Sequence, residues 1–283
     1  MTVYRDPEKL ILCSATLLPD PIAPKPGELA MQIRAAYKAG FAGISLWGMH
    51  EAFEQSSGQS SAQTREDVEA ANISVPIVET IMPWDASSPK HAAEQARDSF
   101  ESWRFFGSDI IAAVSITDQA IPEQKAVDHL RAVCDLAQEY KLTVATEFLP
   151  WSGIATLDAV ANILTKLNYD NAGIVLDAWH WQRQPGGPCA DVLRDLQPQQ
   201  LAVFQLCDAA PKPQGDPMVE CMQNRLLPGD GVVDLAEILA IFDQLGASPI
   251  VAPEVFNQTQ TRLGGEQMAA NIFRSASAVL AAQ

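Results

Sequence analysis

The chain has 283 residues, of which 47% are hydrophobic and 19% are charged. This composition excludes a disordered chain, which has few apolar residues, and a collagen-like chain, which repeats glycine at every third position. Thirty-five acidic and nineteen basic residues leave a formal net charge of −16. Nucleic acid and anionic membrane surfaces are also negatively charged, so we expect neither as a partner.

The chain shows no sign of a membrane span or a secretory signal. No apolar run approaches the ~18 residues that cross a bilayer, and the first residues lack a basic stretch followed by an apolar segment. The five cysteines are scattered and form no CxxC pair: Cys13, Cys134, Cys189, Cys207 and Cys221. This pattern is typical of free thiols in a reducing compartment. We therefore predict a cytoplasmic protein.

Short runs rich in Val and Ile alternate with longer segments of helical periodicity along the whole chain. The predicted strands are Leu10–Ser14, Gly43–Trp47, Val75–Thr80, Ile110–Ser115, Thr143–Glu147, Gly173–Asp177, Ala202–Leu206 and Ile250–Val255. The clearest predicted helices are Pro26–Ala39, Pro122–Tyr140, Thr156–Leu167 and Asp234–Leu245. The last of these begins with Asp234 and Glu237 at the spacing of a capping box.

Eight strand–helix units of about 35 residues each are typical of an α/β fold of the (β/α)8 or TIM-barrel type, with a parallel eight-stranded core. The alternative is an open, doubly wound sheet. That fold would carry a glycine-rich first turn if it bound a dinucleotide, and the segment Ser14–Pro19 contains no glycine. No linker divides the chain, so we predict one barrel domain over residues 1–283.

Polar side chains occur at the ends of the last four predicted strands. Glu147 ends the fifth strand, Asp177 ends the sixth, Gln205 lies near the end of the seventh, and Glu254 lies near the end of the eighth. Strands of a parallel barrel all end at the same mouth. We therefore expect these four side chains to converge, although each acid alone could be a surface charge in a loop.

Three ionised carboxylates cannot share one pocket without a compensating charge. At ~4 Å and an effective dielectric constant of ~20, each pair repels by about 4 kcal/mol. Either protons or a cation must therefore be present. Carboxylates together with an amide oxygen form a hard ligand set, which favours Mn²⁺ or Mg²⁺.

Two further residues lie where they could serve the same mouth. His180 follows Asp177 by three residues, and Arg225 precedes the turn sequence Pro228–Gly231. The arginine could bind a substrate oxygen, hold one of the acids, or be a solvated loop charge. The histidine could be catalytic or structural.

Tryptophans are concentrated just beyond the predicted strand ends: Trp47, Trp84, Trp151, Trp179 and Trp181. Flat apolar surfaces at the mouth would suit sugar rings or aromatic groups. The alternative is that these side chains seal the barrel rim against the helices.

With these features, the sequence resembles the sugar isomerase/epimerase superfamily of xylose isomerase-like TIM barrels. This group includes ketose 3-epimerases, hydroxypyruvate isomerase, inosose dehydratase, 3-dehydroshikimate dehydratase and the family 2 AP endonucleases. The resemblance covers essentially the whole chain. Its most specific elements are Glu147, the pair Asp177 and His180, Gln205 followed by Asp208, Arg225 before Pro-Gly-Asp-Gly, and Glu254.

The resemblance implies a divalent metal bound by Glu147, Asp177, Gln205 and Glu254, with Mn²⁺ or Mg²⁺ favoured. The family commonly has histidine where Gln205 stands, and the amide fits a harder metal better than zinc. The nucleases of the group build a three-zinc cluster with additional histidines. This chain has only four histidines, which speaks against nuclease activity.

The resemblance also implies that side chains beyond the metal ligands contact the substrate. His180 and Arg225 would contact its oxygens. The predicted substrate-binding set also contains Asp208, Trp47, Trp151 and Trp179.

The hypothesis that follows is a metal-dependent isomerase or epimerase acting on an unphosphorylated sugar or sugar-like keto compound. Glu147 and Glu254 would be the catalytic residues, one removing an α-proton and the other returning it to a metal-stabilised enediolate. The alternative is a lyase on the same barrel, either a dehydratase or an enzyme that eliminates an aryl group from an oxidised glycoside. A non-catalytic ligand-binding barrel is the third hypothesis. The superfamily leaves a homodimer or homotetramer open as the assembled state.

Overall fold

The computed structural model describes residues 3–282, in which eight parallel strands form one nearly closed barrel. Each strand pairs with the next along the chain, from β1 to β8. At the seam, the backbone N–H of Cys13 donates a hydrogen bond to the carbonyl of Pro253 (3.1 Å). The strands are β1 Ile11–Cys13, β2 Gly43–Trp47, β3 Ser74–Ile81, β4 Ile110–Ala113, β5 Thr143–Glu147, β6 Ala172–Asp177, β7 Leu201–Gln205 and β8 Ile250–Val251. The predicted (β/α)8 fold is confirmed.

Twelve α-helices surround or cap the strands in the part of the chain that is described. They are α1 Glu28–Ala39, α2 Gly48–Ser56, α3 Ser61–Ala70, α4 Pro89–Phe106, α5 Glu123–Tyr140, α6 Leu157–Leu167, α7 Ala178–Arg183, α8 Ala190–Arg194, α9 Pro217–Gln223, α10 Leu235–Leu245, α11 Gln258–Thr261 and α12 Gly265–Ala281. The four predicted helices are confirmed as α1, α5, α6 and α10. None of the helices described is long and apolar enough to cross a membrane.

Two helix starts differ from the prediction. Helix α1 begins after Gly27, which adopts a left-handed conformation (φ +82°), so Pro26 lies outside the helix rather than in its first turn. At α10, the Asp234 side chain accepts a hydrogen bond from the N–H of Glu237. This is half of the predicted capping box, and the contact in the other direction is not formed between these two residues.

Strand β8 is shorter than predicted, although the chain stays beside β7. Beyond Val251, the N–H of Ala252 donates to the carbonyl of Phe204 (2.8 Å), and the N–H of Glu254 donates to the carbonyl of Leu206 (3.3 Å). The predicted strand therefore continues as extended chain with spaced hydrogen bonds. Glu254 reaches the same mouth as the ends of the other strands.

The barrel interior contains a small apolar cluster separate from the main core between strands and helices. Its buried members come from seven strands or their direct extensions: Ile11, Ile77, Ile110, Ala112, Ala145, Val175, Val203 and Ala252. Side chains alternate between the two faces of a strand, so every second residue points inward. The next inward positions toward the mouth are therefore available for polar groups.

Candidate active site

The polar residues of the mouth occupy the inward position that follows the apolar cluster on each strand. Glu147 lies two residues after Ala145, Asp177 follows Val175, Gln205 follows Val203, and Glu254 follows Ala252. All four polar side chains are almost completely buried. The structure thus brings together the four residues predicted from strand ends, and their roles as metal ligands stay a prediction.

A fifth polar residue, Glu79, belongs to the same layer and was missed in the sequence analysis. It follows the inward-facing Ile77 on β3 and is buried. The Gln205 Nε2 donates to its Oε2 (3.4 Å). Burial and the nearby Glu254 raise the pKa of Glu79 well above its usual range. The signal was present in the sequence, because Glu79 lies near the end of the third predicted strand, as Glu147 does on the fifth.

Asp177 and His180 are coupled by the start of α7. The Asp177 carboxylate caps this helix by accepting a hydrogen bond from the backbone N–H of His180 (2.7 Å). An N-cap aspartate followed by its partner three residues later is a local arrangement that the sequence alone can specify. It places the imidazole of His180 beside the carboxylates of the mouth.

His180 and Glu147 form a buried pair in which the proton is shifted toward the glutamate. The His180 Nε2 lies 3.2 Å from Glu147 Oε1. Burial lowers the pKa of His180 to about 4, so the imidazole is neutral at pH 7. Burial, with a further contribution from Asp177, raises the pKa of Glu147 to about 8. A carboxyl of this kind is poised for proton transfer near neutral pH.

Arg225 joins two of the carboxylates. Its Nη1 donates to Asp177 Oδ2 (2.5 Å) and lies 2.9 Å from Glu254 Oε2. Its Nε donates to the carbonyl of Cys221 (2.9 Å), which fixes the plane of the guanidinium. Of the roles considered for Arg225, the structure shows contact with the acids.

Glu254 is surrounded by donors. The thiol of Cys13 donates to Glu254 Oε1 (3.1 Å), and the Gln205 Nε2 donates to the same oxygen (3.3 Å). Burial raises the pKa of Glu254 to about 7, although Arg225 acts in the opposite direction. Two glutamates in one cavity, Glu147 and Glu254, therefore titrate near neutral pH in the protein without metal.

The charges of the site leave room for a cation. Four buried carboxyl groups, from Glu79, Glu147, Asp177 and Glu254, face one guanidinium and a neutral imidazole. In addition, the buried Oε1 of Gln205 has no hydrogen-bond partner. An orphaned buried acceptor is costly unless something satisfies it.

The possible ligands fall into two groups, one of Glu147, Asp177 and His180 and the other of Cys13, Glu79 and Glu254. Ligand atoms of Glu147, Asp177 and His180 all lie within 4.8 Å of one another. Carboxylate and amide oxygens are the ligands of hard divalent cations. The residues present therefore fit a divalent metal.

Glu79, Glu147 and Glu254 form the floor of a cavity of about 450 Å³ at the mouth of the barrel, whereas Asp177 and Gln205 do not line it. Trp47, Trp151, His180 and Arg225 also line it, and their roles in substrate binding stay a prediction. A larger cavity of about 740 Å³ lies between α10 and α12 and is lined mainly by aliphatic side chains. It contains none of the converging carboxylates of the mouth.

Two residues of the predicted substrate-binding set do not line the cavity of the mouth. The carboxylate of Asp208 accepts hydrogen bonds from the backbone N–H groups of Ala209, Gly229 and Val233. Asp208 therefore holds the loop that carries Pro-Gly-Asp-Gly. Trp179 is fully buried behind the site, where its ring packs against Trp151 and His180.

A family model described as xylose isomerase-like TIM barrel matches residues 33–280. An inosose isomerase of Bacillus subtilis is 27% identical over 56% of this chain and 57% of its own length. A 3-dehydroshikimate dehydratase of Pseudomonas putida is 24% identical over 88% of this chain and 39% of its own length. The chain thus spans little more than half of the first of these relatives and less than half of the second.

A solved structure has the same fold over nearly the whole chain. A crystal structure of the IolI protein with a bound zinc atom superimposes with a TM-score of 0.83 at 22% identity, covering 96% of this chain and 98% of that one. The match of the family model extends over most of the barrel and includes every polar residue of the layer at the mouth. This chain belongs to the family of xylose isomerase-like TIM barrels.

Proposed function

We propose that this protein is a divalent-metal-dependent isomerase or epimerase of an unphosphorylated sugar or sugar-like keto compound, with a lyase as the alternative. The observation that carries the proposal is the pair Glu147 and Glu254. Both carboxyl groups are buried at the floor of one cavity. The pKa of Glu147 is raised to about 8 and that of Glu254 to about 7. Relatives named inosose isomerase and 3-dehydroshikimate dehydratase support enzymatic activity on sugar-like compounds.

Glu147, Asp177, Gln205 and Glu254 would hold the metal, and the hard donor set favours Mn²⁺ or Mg²⁺. A divalent ion bound there would polarise a carbonyl and its neighbouring hydroxyl and so lower the energy of the enediolate that forms when the α-proton leaves. The IolI structure contains zinc. The amide at position 205 is the feature of this chain that supports a harder ion than zinc.

Glu147 and Glu254 would carry out the proton transfers. One carboxylate, Glu147 or Glu254, removes the proton α to the carbonyl, and the other returns a proton to the opposite face or to the adjacent carbon. Return to the opposite face gives an epimer, and return to the adjacent carbon gives an isomer. Arg225 holds Asp177 and Glu254 in place, and His180 keeps Glu147 oriented through their 3.2 Å contact.

The dehydratase relative favours a lyase as the second candidate. The first step would be the same removal of an α-proton. If a leaving group stands β to the carbanion, its C–O bond breaks as the new C=C bond forms. A glutamic acid of the pair would then protonate the departing oxygen.

We further propose that the chain functions as one domain in the cytoplasm and that its ligand is a small molecule rather than nucleic acid or membrane. The five free cysteines and the charge of −16 support this assignment. The superfamily leaves dimer and tetramer open.

Metal analysis and isotope exchange test the proposal together. We expect about one tightly bound divalent ion per chain and Mn²⁺- or Mg²⁺-dependent incorporation of deuterium at the α-carbon of a ketose or inosose in D₂O. Exchange without loss of mass supports an isomerase or epimerase, and loss of water or of an aglycone supports the lyase. A protein that binds no divalent ion and exchanges no deuterium would be a non-catalytic barrel, which would refute the proposal.

Two variants assign the exchange to the glutamates. Glu147→Gln and Glu254→Gln should each lower the exchange rate by at least about 100-fold, which is the usual contribution of a general base. Glu54→Gln is the matched control, because Glu54 is equally buried but binds the backbone N–H groups of Gly27 and Leu29 outside the site. Near wild-type exchange in both site variants would show that the glutamates are not the acid and base.

A further inference from the structure

The mouth of the cavity is surrounded by exposed apolar side chains. Among the described residues, five exposed large hydrophobic side chains line this cavity: Ile22, Met49, Met82, Ile116 and Met218. We call these five residues the apolar rim. Each follows the carboxyl end of a different strand, namely β1, β2, β3, β4 and β7.

Contact between apolar side chains and water is unfavourable, and clusters of exposed apolar residues mark binding surfaces. Single exposed apolar residues need no explanation. Here, however, the five residues come from five separate connections and meet around the one cavity that holds the buried carboxylates. Trp47 and Trp151 line the same cavity.

The side-chain charges of the cavity disfavour an anionic ligand. Within the described lining, Arg225 is the sole arginine or lysine, and Asp177 and Glu254 already engage its guanidinium. Glu79, Glu147 and Glu254 add negative charge to the floor. Two other arginines do not line the cavity: Arg183 pairs with Glu220, and Arg262 is exposed.

The floor and the rim therefore select for different chemistry. The floor offers carboxylates, which accept hydrogen bonds from hydroxyl groups and favour a polyhydroxy compound. The rim offers methyl and thioether groups, which favour an aromatic or aliphatic surface. The carboxyl groups are buried and the rim residues are exposed, so the two regions differ in their distance from solvent.

From this arrangement we infer that the substrate is an uncharged, two-part molecule: a polyhydroxy or keto-sugar ring that reaches the carboxylates, joined to an apolar group, such as an aryl substituent, that rests on the apolar rim. This inference rests on the proposed function, since it takes the sugar-like end to lie at the floor. It adds that the part of the substrate outside the sugar-like ring is apolar.

Matched pairs of glycosides test the inference with the Mn²⁺-loaded protein. Methyl and phenyl β-D-glucopyranoside, galactopyranoside and xylopyranoside differ within each pair only in the apolar group. Isothermal titration should show at least one phenyl compound binding about tenfold more tightly than its methyl partner, as expected for burial of part of an aromatic ring. If no phenyl compound binds more tightly than its methyl partner, including the case in which none binds, the inference is wrong.

Rim variants locate the effect. Ile116→Ser and Met218→Ser, alone and combined, should reduce the phenyl-to-methyl affinity ratio to about threefold or less, with unchanged affinity for the methyl compound. Leu263→Ser is the matched control, because Leu263 and Ile116 are both 53% exposed but Leu263 lies outside the cavity. These residues are exposed, so the variants should keep the melting temperature of the wild type, which circular dichroism checks.

Three outcomes separate this inference from its alternatives. A double rim variant that changes the oligomeric mass in light scattering, while the affinity ratio stays unchanged, would assign the rim to a contact between copies and overturn the inference. Metal-dependent exchange of bare ketoses with no gain from the aryl group overturns the inference and leaves the proposed function intact. A phenyl preference that depends on the rim, without any exchange, supports the inference about the ligand and refutes the catalytic proposal.

Discussion

Arg225 provides the buried positive charge that the acids of the cavity need. It contacts Asp177 and Glu254 through the same nitrogen, and all three side chains are inaccessible to solvent. Two carboxylates left without this partner would face each other across a medium of low dielectric constant. We therefore expect Arg225 to contribute strongly to the free energy of unfolding of the metal-free protein.

We predict that Arg225→Leu lowers the free energy of unfolding of the metal-free protein by about 3–5 kcal/mol, because it leaves buried charges uncompensated. Urea titration at neutral pH measures the change. The control is Arg194→Leu, which removes partly exposed ion pairs with Asp191 and Glu237 and should cost less than about 1 kcal/mol. Equal effects of the two variants would show that Arg225 does not neutralise the site.

Gln205 is the proposed metal ligand that we expect to influence most which ion the site prefers. Its Oε1 is buried without a hydrogen-bond partner, whereas its Nε2 donates to Glu79 and Glu254. An amide oxygen is a hard ligand, and an imidazole nitrogen is better suited to zinc.

We predict that Gln205→His raises the affinity for Zn²⁺ relative to Mn²⁺ by at least about tenfold. Competition titration with the two metals measures the ratio. Gln199→His, which adds a histidine at an exposed position, controls for non-specific zinc binding. An unchanged ratio at position 205 would argue against this residue as a ligand.

At the scale of elements, the connection from β7 to α10 depends on Asp208. Its carboxylate accepts hydrogen bonds from three backbone N–H groups. The backbone of Gly231 lies close to this carboxylate. A Cβ on Gly231 would come within 2.3 Å of Asp208 Oδ1, so glycine is needed for this close approach. The carboxylate thus replaces regular secondary structure in ordering the loop that follows Arg225.

We predict that Asp208→Ala lowers the free energy of unfolding by about 2–4 kcal/mol because it leaves buried backbone donors unpaired. The number of metal ions bound per folded chain should not change. Asp230→Ala on the same loop is the control, since Asp230 is exposed and surface changes cost less than about 0.5 kcal/mol. Loss of substrate affinity at unchanged stability would restore Asp208 to the substrate-binding set predicted from the sequence.

At the scale of the whole molecule, the buried glutamates link stability to pH and to metal. In the metal-free fold, the pKa of Glu147 is raised to about 8 and that of Glu254 to about 7, in both cases above the value of an exposed glutamate. Folding therefore favours their neutral forms. The stabilisation is complete below about pH 4.5 and is lost as the pH rises through about 7 to 8.

We predict that the melting temperature of the metal-free protein falls by at least about 4 °C between about pH 5.5 and about pH 8.5. Glu147→Gln combined with Glu254→Gln should flatten this dependence. Added Mn²⁺ should raise the melting temperature more at the higher pH, because metal binding requires ionised carboxylates. Differential scanning calorimetry measures all three effects, and an equally steep fall in the double variant would trace the pH dependence to other groups.

The sequence by itself determined the architecture and most of the polar layer. The alternation of short β-branched runs with helical periodicity suffices for the (β/α)8 fold, because each element carries its own repeat in the sequence. Glu147, Asp177, Gln205 and Glu254 were identified because strand ends of a parallel barrel converge regardless of their distance along the chain. Glu79 carried the same signal at the end of β3.

Only the tertiary structure decided what each polar group contacts. Arg225 could bind substrate or acid as far as its sequence position shows. Its contacts with Asp177 and Glu254 are made from the segment after α9, where its backbone N–H donates to the carbonyl of Phe256. Likewise, Asp208 and Trp179 occupy positions next to the strand ends in sequence, yet their side chains turn toward the loop backbone and the buried wall. Periodicity specifies which face of an element a residue occupies, whereas the partner of a side chain in a loop depends on packing between segments far apart in the chain.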